Sequence, residues 1–262
     1  LTLDIVKVLK GKDTPISGVV FTHTDSKGNQ EEVTTDEKGQ AVLKGLTRGT
    51  HTIQEKSVPD GYTKNPGVLK FSVDENNKIT LLENTATDKT GSMTFTLRED
   101  GTAQLHVEDI LAPYQLIIHK VNDHEKVLEG AEFTLYTDKE CKQELQKATS
   151  GKDGILRFQD LEVEKKYYLK ETKAPDGYRI PVNSDGTDIV YEIYTKSDPQ
   201  KDLFEYYVNG KKYTDATGDF AITGTKAERE VNLKVVNPIG MKMPETGSPW
   251  TAGILLAGVG VI

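Results

Sequence analysis

The chain carries the same set of short alternating segments twice, and this duplication limits the folds that it can adopt. Three pairs of segments align: 7–22 with 120–134, 35–43 with 150–158, and 55–62 with 171–178. Within each copy, short runs with a period of two are separated by turn signals such as Asn209-Gly210. A period of two is typical of β-strands, and only residues 138–149 offer a weak helical pattern. The sequence therefore predicts an all-β chain of two tandem β-sandwiches.

The length of 262 residues suits two domains of roughly 100–150 residues each. We expect five parts in chain order: a first sandwich, a linker, a second sandwich, a further linker and an apolar run, at residues 1–110, 111–114, 115–238, 239–249 and 250–262. The apolar run is 13 residues long, whereas a membrane-spanning helix needs about 20. It therefore has the composition of a transmembrane segment that is cut short. The opening strand, with no signal peptide before it, indicates a processed or truncated amino terminus.

Charge, cysteine and histidine content exclude several function classes. A net charge of −8 and a pI of 5.3 argue against nucleic-acid binding, which needs a basic surface. The single cysteine, Cys141, excludes an intrachain disulfide. The histidines lie on different segments without the spacing of metal ligands: His23, His51, His106, His119 and His124. We therefore expect no metal site and no cofactor.

Three polar side chains interrupt otherwise apolar strand faces in each unit. In the first unit they are Lys7, Glu55 and Asp109; in the second they are Lys120, Glu171 and Asn237. Alternate side chains of a strand point to one face, so all six are predicted to enter a core. Buried charges are costly unless they are paired or neutralised. Ordinary ion pairs or partly exposed strand ends are the alternative explanation.

A chemical reaction would remove that cost. Burial lowers the pKa of a lysine, and a neutral lysine is a good nucleophile. A buried glutamate has a raised pKa and can relay protons. Attack of the amine on a neighbouring carboxyl or amide carbon would give an amide, with release of water from Asp109 or of ammonia from Asn237. Each bond would join the first strand of a unit to its last and close a loop of about 100 residues.

The segment Tyr168-Leu-Lys-Glu171-Thr-Lys-Ala-Pro175-Asp-Gly177-Tyr178 resembles the E-box of the Cna B-type (collagen-adhesin B, SpaA-like) domains of Gram-positive surface proteins and pilins. Residues 53–62 form a weaker copy that lacks the Thr and the Ala. The resemblance covers about residues 1–110 and 115–238, and it implies immunoglobulin-like sandwiches with internal isopeptide bonds. By this resemblance, the lysines Lys7 and Lys120 are amine donors, the glutamates Glu55 and Glu171 are catalysts, and Asp109 and Asn237 are acceptors.

Met243-Pro244-Glu245-Thr246-Gly247 resembles the Leu-Pro-X-Thr-Gly sorting signal of sortase substrates, with Met in place of Leu. The apolar run that follows fits such a signal. The resemblance implies that sortase cleaves after Thr246 and joins it to peptidoglycan or to a neighbouring pilin subunit. The protein would then be extracellular and anchored covalently to the cell wall, with membrane contact only before cleavage.

Together these features predict a wall-anchored stalk or pilin subunit rather than a turnover enzyme, since each glutamate would act once. One alternative is an adhesin for a host matrix protein, with a contact patch formed by the rings of Phe204, Tyr206, Tyr207 and Tyr213. Another is the stalk of an enzyme whose catalytic domain lies upstream.

Overall fold

A computed structural model of the chain describes residues 1–213, 220–223 and 229–239. The described residues form twenty β-strands and one short 3-10 turn at Pro199–Lys201. Among them there is no helix long and apolar enough to cross a membrane. The predicted sorting motif at 243–247 and the apolar run at 250–262 lie outside the described residues.

Ten strands of the first half form two facing sheets. The strands are β1 (Thr2–Leu9), β2 (Val20–Thr24), β3 (Gln30–Thr34), β4 (Gln40–Lys44), β5 (Gly49–Ser57), β6 (Tyr62–Thr63), β7 (Val68–Val73), β8 (Ile79–Asn84), β9 (Met93–Leu97) and β10 (Ala103–Leu111). One sheet has the order β4-β1-β10-β6, with β9 also paired to β10, and the other has the order β3-β2-β5-β7-β8.

The second half repeats this arrangement. Its strands are β11 (Tyr114–Asn122), β12 (Glu132–Tyr136), β13 (Glu144–Thr149), β14 (Ile155–Leu161), β15 (Tyr167–Lys173), β16 (Val190–Asp198), β17 (Leu203–Val208), β18 (Lys211–Tyr213), β19 (Phe220–Thr223) and β20 (Glu230–Asn237). One sheet has the order β14-β11-β20-β19, and the other has the order β13-β12-β15-β16-β17-β18.

Each pair of sheets encloses its own apolar core. The first core is built from residues between Leu3 and Val107, and the second from residues between Tyr114 and Val235. Alternate side chains of β1 and β10 enter the first core and leave the residues between them half-exposed. The prediction of an all-β chain with tandem sandwiches is therefore confirmed.

The first and last strands of each half lie side by side and parallel. In β1 and β10, Lys7 stands opposite Val107, so Asp109 lies two residues farther along the same face. In β11 and β20, Lys120 stands opposite Val235, and Asn237 again lies two residues farther along. Strand pairing thus gives both halves the same diagonal offset between lysine and acceptor.

Two local features of the sequence can be compared with the structure. The weak helical pattern at 138–149 does not give a helix, in agreement with the all-β prediction, because Glu144–Thr149 forms β13 and pairs with β12. The predicted hairpin at Asn209-Gly210 is confirmed: both residues have positive φ, 50° and 76°, as a tight two-residue turn requires.

The predicted aromatic patch at 204–213 is not a continuous exposed surface. Tyr206 is fully buried, and Phe204 packs against the second core, where its ring tilts against Tyr114. Tyr207 is half-buried. Because β17 turns alternate side chains inward, Phe204 and Tyr206 belong to the sandwich, whereas the Tyr207 ring lies on the other face against Tyr194. The side chain of Tyr213 lies outside the described residues.

Candidate functional site

All six polar side chains predicted from the strand alternation are buried in the two cores. Their exposed fractions lie between 0% and 5%, which confirms the predicted burial. In each half the lysine and the acceptor belong to the sheet that holds the first and last strands, whereas the glutamate belongs to the facing sheet. The three side chains therefore meet in the middle of a sandwich, away from water.

The first triad joins one lysine to two carboxyl groups. Lys7 Nζ lies 2.5 Å from Glu55 Oε1 and 2.5 Å from Asp109 Oδ1. Glu55 reaches this position from β5 of the facing sheet. The amine is thus held between the proposed catalyst and the proposed acceptor.

Burial has a large effect on the acceptor of the first triad. Desolvation raises the pKa of Asp109 to about 7, opposed by the positive charge of Lys7 and assisted by the negative charge of Glu55. A substantial fraction of this carboxyl is therefore protonated near neutral pH. The protonated form is the one that an amine can attack, since a carboxylate is a poor electrophile.

The second triad is arranged around an amide. Lys120 Nζ donates to Asn237 Oδ1 at 2.7 Å and to the carbonyl oxygen of Val235 at 3.2 Å. Asn237 Nδ2 donates to Glu171 Oε1 at 3.1 Å. The shortest distance between the Lys120 and Glu171 charges is longer, at 3.9 Å. Glu171 therefore contacts the nitrogen that would leave as ammonia.

Burial shifts the ionisation of two members of this triad. Desolvation lowers the pKa of Lys120 to about 8, although the charge of Glu171 opposes the shift. Desolvation also raises the pKa of Glu171, and here the charge of Lys120 and the hydrogen bond from Asn237 act in the opposite direction. A neutral amine and a protonated glutamate are thus both made accessible by the same dry environment.

Asn65 belongs to the first site but was not predicted from the sequence. It is buried, and its backbone N–H donates to Glu55 Oε2 at 2.8 Å. Its side-chain amide donates to the carbonyl oxygens of Gly91 and Glu108. In the sequence it precedes Pro66-Gly67 and has the composition of an ordinary turn, so no local signal indicates its burial.

Two histidines that lie far apart in the sequence also meet in the first sandwich. His23 Nε2 and His51 Nδ1 are 2.8 Å apart, and His23 Nδ1 lies 2.8 Å from Glu31 Oε1. His51 Nε2 donates to the carbonyl oxygen of Thr47 at 2.7 Å, because a carbonyl can only accept. In the part of the chain that the structure describes, no cluster of three or more His, Cys, Asp or Glu residues is arranged to hold a metal ion.

Three solved structures illustrate what the chain resembles. The C-terminal fragment of the pilus adhesin SpaC from Lactobacillus rhamnosus GG is 18% identical, with 90% of this chain and 96% of that chain covered and a TM-score of 0.39. The minor pilin GBS52 of Streptococcus agalactiae is 14% identical, with 95% and 99% covered and a TM-score of 0.30. BcpA, the major pilin subunit of Bacillus cereus, is 13% identical, with 90% and 99% covered and a TM-score of 0.28.

A comparison with curated protein sequences finds no match. The family described as the SpaA prealbumin-like fold domain matches residues 2–90 and residues 114–197. These two segments fall in the two halves that form separate sandwiches, and together they cover more than half of the chain. The chain therefore belongs to the SpaA prealbumin-like domain family.

Proposed function

We propose that the chain is a pilin-type surface stalk of a Gram-positive bacterium, stiffened by two isopeptide bonds that it forms itself. The bonds join Lys7 to Asp109 and Lys120 to Asn237. One observation carries the proposal: an amine, an acceptor and a glutamate meet in a dry core twice, with the same strand offset. Chance ion pairing does not explain why both copies place the amine on the first strand and the acceptor on the last.

In the first site, Glu55 takes a proton from the Lys7 ammonium, and the neutral Nζ attacks Cγ of the protonated Asp109. The C–O bond to the acid hydroxyl then breaks, and the second proton lost by the amine leaves with that hydroxyl as water. Glu55 relays the proton between these atoms, because its Oε1 contacts the amine. The product is a neutral amide, so the cost of the buried charges disappears.

In the second site, the neutral Lys120 amine attacks Cγ of Asn237, whose oxygen it already contacts. Protonated Glu171 donates to Nδ2 as the C–N bond breaks, and the proton from the amine replaces the one that Glu171 has given. Ammonia leaves, and an amide joins the two strands. Fixed proximity supplies much of the acceleration in both sites.

The position of each bond suits a load-bearing stalk. It ties together the first and last strands of a sandwich, which are direct neighbours and through which a pull along the chain enters and leaves. Closing a loop of about 100 residues stabilises the folded state by ~4–5 kcal/mol in chain-entropy models. The single cysteine could not supply an internal cross-link of this kind.

The proposed anchoring rests on the sequence of Met243–Gly247 and the apolar run after it. Sortase would cleave after Thr246 and transfer the chain to peptidoglycan or to a neighbouring pilin subunit. The mature protein would then be extracellular and attached covalently to the wall. The glutamates act once during maturation, so the domains are not turnover enzymes.

Intact-mass measurement followed by peptide mapping tests the cross-links. We expect the mass to be lower than the sequence mass by one water and one ammonia. Glu55→Gln is expected to restore only the water and Glu171→Gln only the ammonia. The control Glu192→Gln, which alters the pair of a partly buried glutamate with the exposed Lys166 outside both triads, restores neither. An unmodified mass would refute both bonds.

Peptide mapping of wall-anchored material tests the anchoring. It is expected to find Thr246 as the joined terminus, and an intact 243–247 segment would refute the anchoring.

A further inference from the structure

Asn65 uses its whole side chain to join separate segments around the first triad. Its amide nitrogen donates to the carbonyl oxygens of Gly91, at 2.9 Å, and Glu108, at 3.1 Å. Its amide oxygen accepts from the N–H of Gly67 at 2.8 Å. With an exposed fraction of 1%, this residue is held in one orientation by three bonds that water does not weaken.

That orientation determines how Glu55 is held. The N–H of Asn65 donates to Glu55 Oε2 at 2.8 Å, and the other oxygen, Oε1, lies 2.5 Å from Lys7 Nζ. The two carboxyl oxygens therefore have separate partners. With Oε2 bound by this N–H, Oε1 is turned toward the amine.

The same side chain also holds the backbone next to the acceptor. Glu108, whose carbonyl Asn65 binds, directly precedes Asp109. Gly91 packs so closely on this peptide that a Cβ at Gly91 would lie 2.1 Å from the Glu108 oxygen. On the other side of the acceptor, the N–H of Lys10 donates to the carbonyl oxygen of Asp109 at 2.8 Å. The carbon under attack is thus carried on a backbone segment fixed from two directions.

We propose that Asn65 is a positioning residue for the first isopeptide reaction: it sets Glu55 and Asp109 against Lys7. This inference rests on the proposed function. The second site works differently, because Glu171 receives its hydrogen bond from the acceptor Asn237 itself. In the first site that hydrogen bond comes to Glu55 from the backbone of Asn65, which is outside the triad.

The test follows bond formation in the full chain. Unreacted protein recovered from inclusion bodies is refolded by dilution into buffers from mildly acidic to mildly alkaline pH, and the losses of water and ammonia are timed by intact mass. We expect Asn65→Ala to slow the water loss roughly 10- to 100-fold, as misplaced reacting groups do, and to change its pH profile. The ammonia loss from the second domain should keep its normal rate. Asn65→Ser, with a shorter polar side chain, should give a rate of water loss between those of Asn65→Ala and the original chain.

Asn84, an exposed residue, provides a control with a similar bonding pattern in the same sandwich. Its Nδ2 donates to the carbonyl oxygen of Met93 at 2.7 Å, and its Oδ1 accepts from the N–H of Ala86 two residues on, as in Asn65. It is not bonded to the triad, so Asn84→Ala should leave the rate and pH profile of the water loss unchanged in chains that fold. Folding of each variant is checked by amide NMR signals of β1 and β10.

Three results would overturn the inference. Equal rates and pH profiles for folded Asn65 variants and the original chain would show that Asn65 does not position the reaction, and equal slowing by Asn84→Ala would show a general effect on folding. If Asn65→Ala fails to fold, Asn65→Ser supplies the same comparison. Absence of any water loss in the original chain would instead refute the proposed Lys7–Asp109 bond, and the inference with it.

Discussion

The two triads share a backbone frame but differ in how the lysine is bound. In the first, Lys7 Nζ contacts two carboxyl groups at 2.5 Å each. In the second, Lys120 Nζ donates to an amide oxygen at 2.7 Å, and Glu171 contacts the amide nitrogen instead of the amine. One frame therefore presents the glutamate to different partners, the lysine amine in one domain and the asparagine amide nitrogen in the other.

This difference separates the effect of strand pairing from the effect of the acceptor residue. Parallel pairing of the first and last strands determines which residues meet. The acceptor type determines where the protons lie: an Asp needs a proton before it can react, whereas an Asn is reactive as it stands. In the first site the glutamate accepts a hydrogen bond from Asn65, outside the triad, whereas in the second it accepts one from the acceptor Asn237.

The largest expected effect comes from removing each lysine. Lys120→Met should lower the free energy of unfolding of the second domain by ~4–5 kcal/mol, because the cross-link is lost. Lys7→Met should cost more, since it also leaves Glu55 and Asp109 buried without a cation, whereas Glu171 and Asn237 keep their mutual hydrogen bond.

Urea unfolding, with one NMR probe in each domain, measures both losses. Lys147→Met removes a half-exposed lysine that pairs with Glu132 and should cost less than ~1 kcal/mol. A loss for Lys7→Met as small as that of this control would contradict a bond in the first domain.

Bond formation should respond to pH in opposite directions in the two domains. The neutral acid form of Asp109 is lost as pH rises through its pKa of about 7, so the water loss should slow above neutrality. The neutral amine of Lys120 is gained as pH rises toward its pKa of about 8, so the ammonia loss should accelerate over the same range.

Timed intact-mass measurements after refolding provide both profiles in one sample. Asp109→Asn is the informative control, because it removes the acid group and should abolish the decline above neutrality while replacing the water loss by an ammonia loss. Parallel profiles for the two domains would contradict the assignment of Asp109 as the proton-dependent partner.

The smallest expected effect concerns the histidine pair of the first domain. Glu31→Gln weakens the chain of hydrogen bonds that runs from Glu31 through His23 and His51 to Thr47. We expect a loss of about 1 kcal/mol in the free energy of unfolding, because Glu31 itself is half-exposed. Glu32 lies next to Glu31 on β3 and pairs with Lys56 at the surface. Glu32→Gln should therefore cost less than ~0.5 kcal/mol in the free energy of unfolding. Equal losses in urea unfolding would show that the histidine chain adds no stability.

Much of the candidate site could be predicted because it follows a local rule. Period-two alternation assigned Lys7, Lys120 and Asn237 to core faces, and all three are fully buried. The same rule did not predict that Tyr206 is buried, and the sequence only indicated an aromatic residue of a hairpin. Alternation alone does not say which face of a strand is covered by the rest of the fold. The weak helical pattern at 138–149 does not give a helix, because pairing with β12 outweighs the intrinsic preference of a short polar segment.

The sequence by itself determined the duplication, the strands and the identity of the six polar residues, since each depends on neighbours in the chain. Only the tertiary structure decided that Asn65 supports Glu55, that His23 meets His51, and that each glutamate contacts a different atom of its partners. These contacts join residues that are far apart in sequence. Their geometry depends on how two sheets pack face to face, which no local pattern encodes.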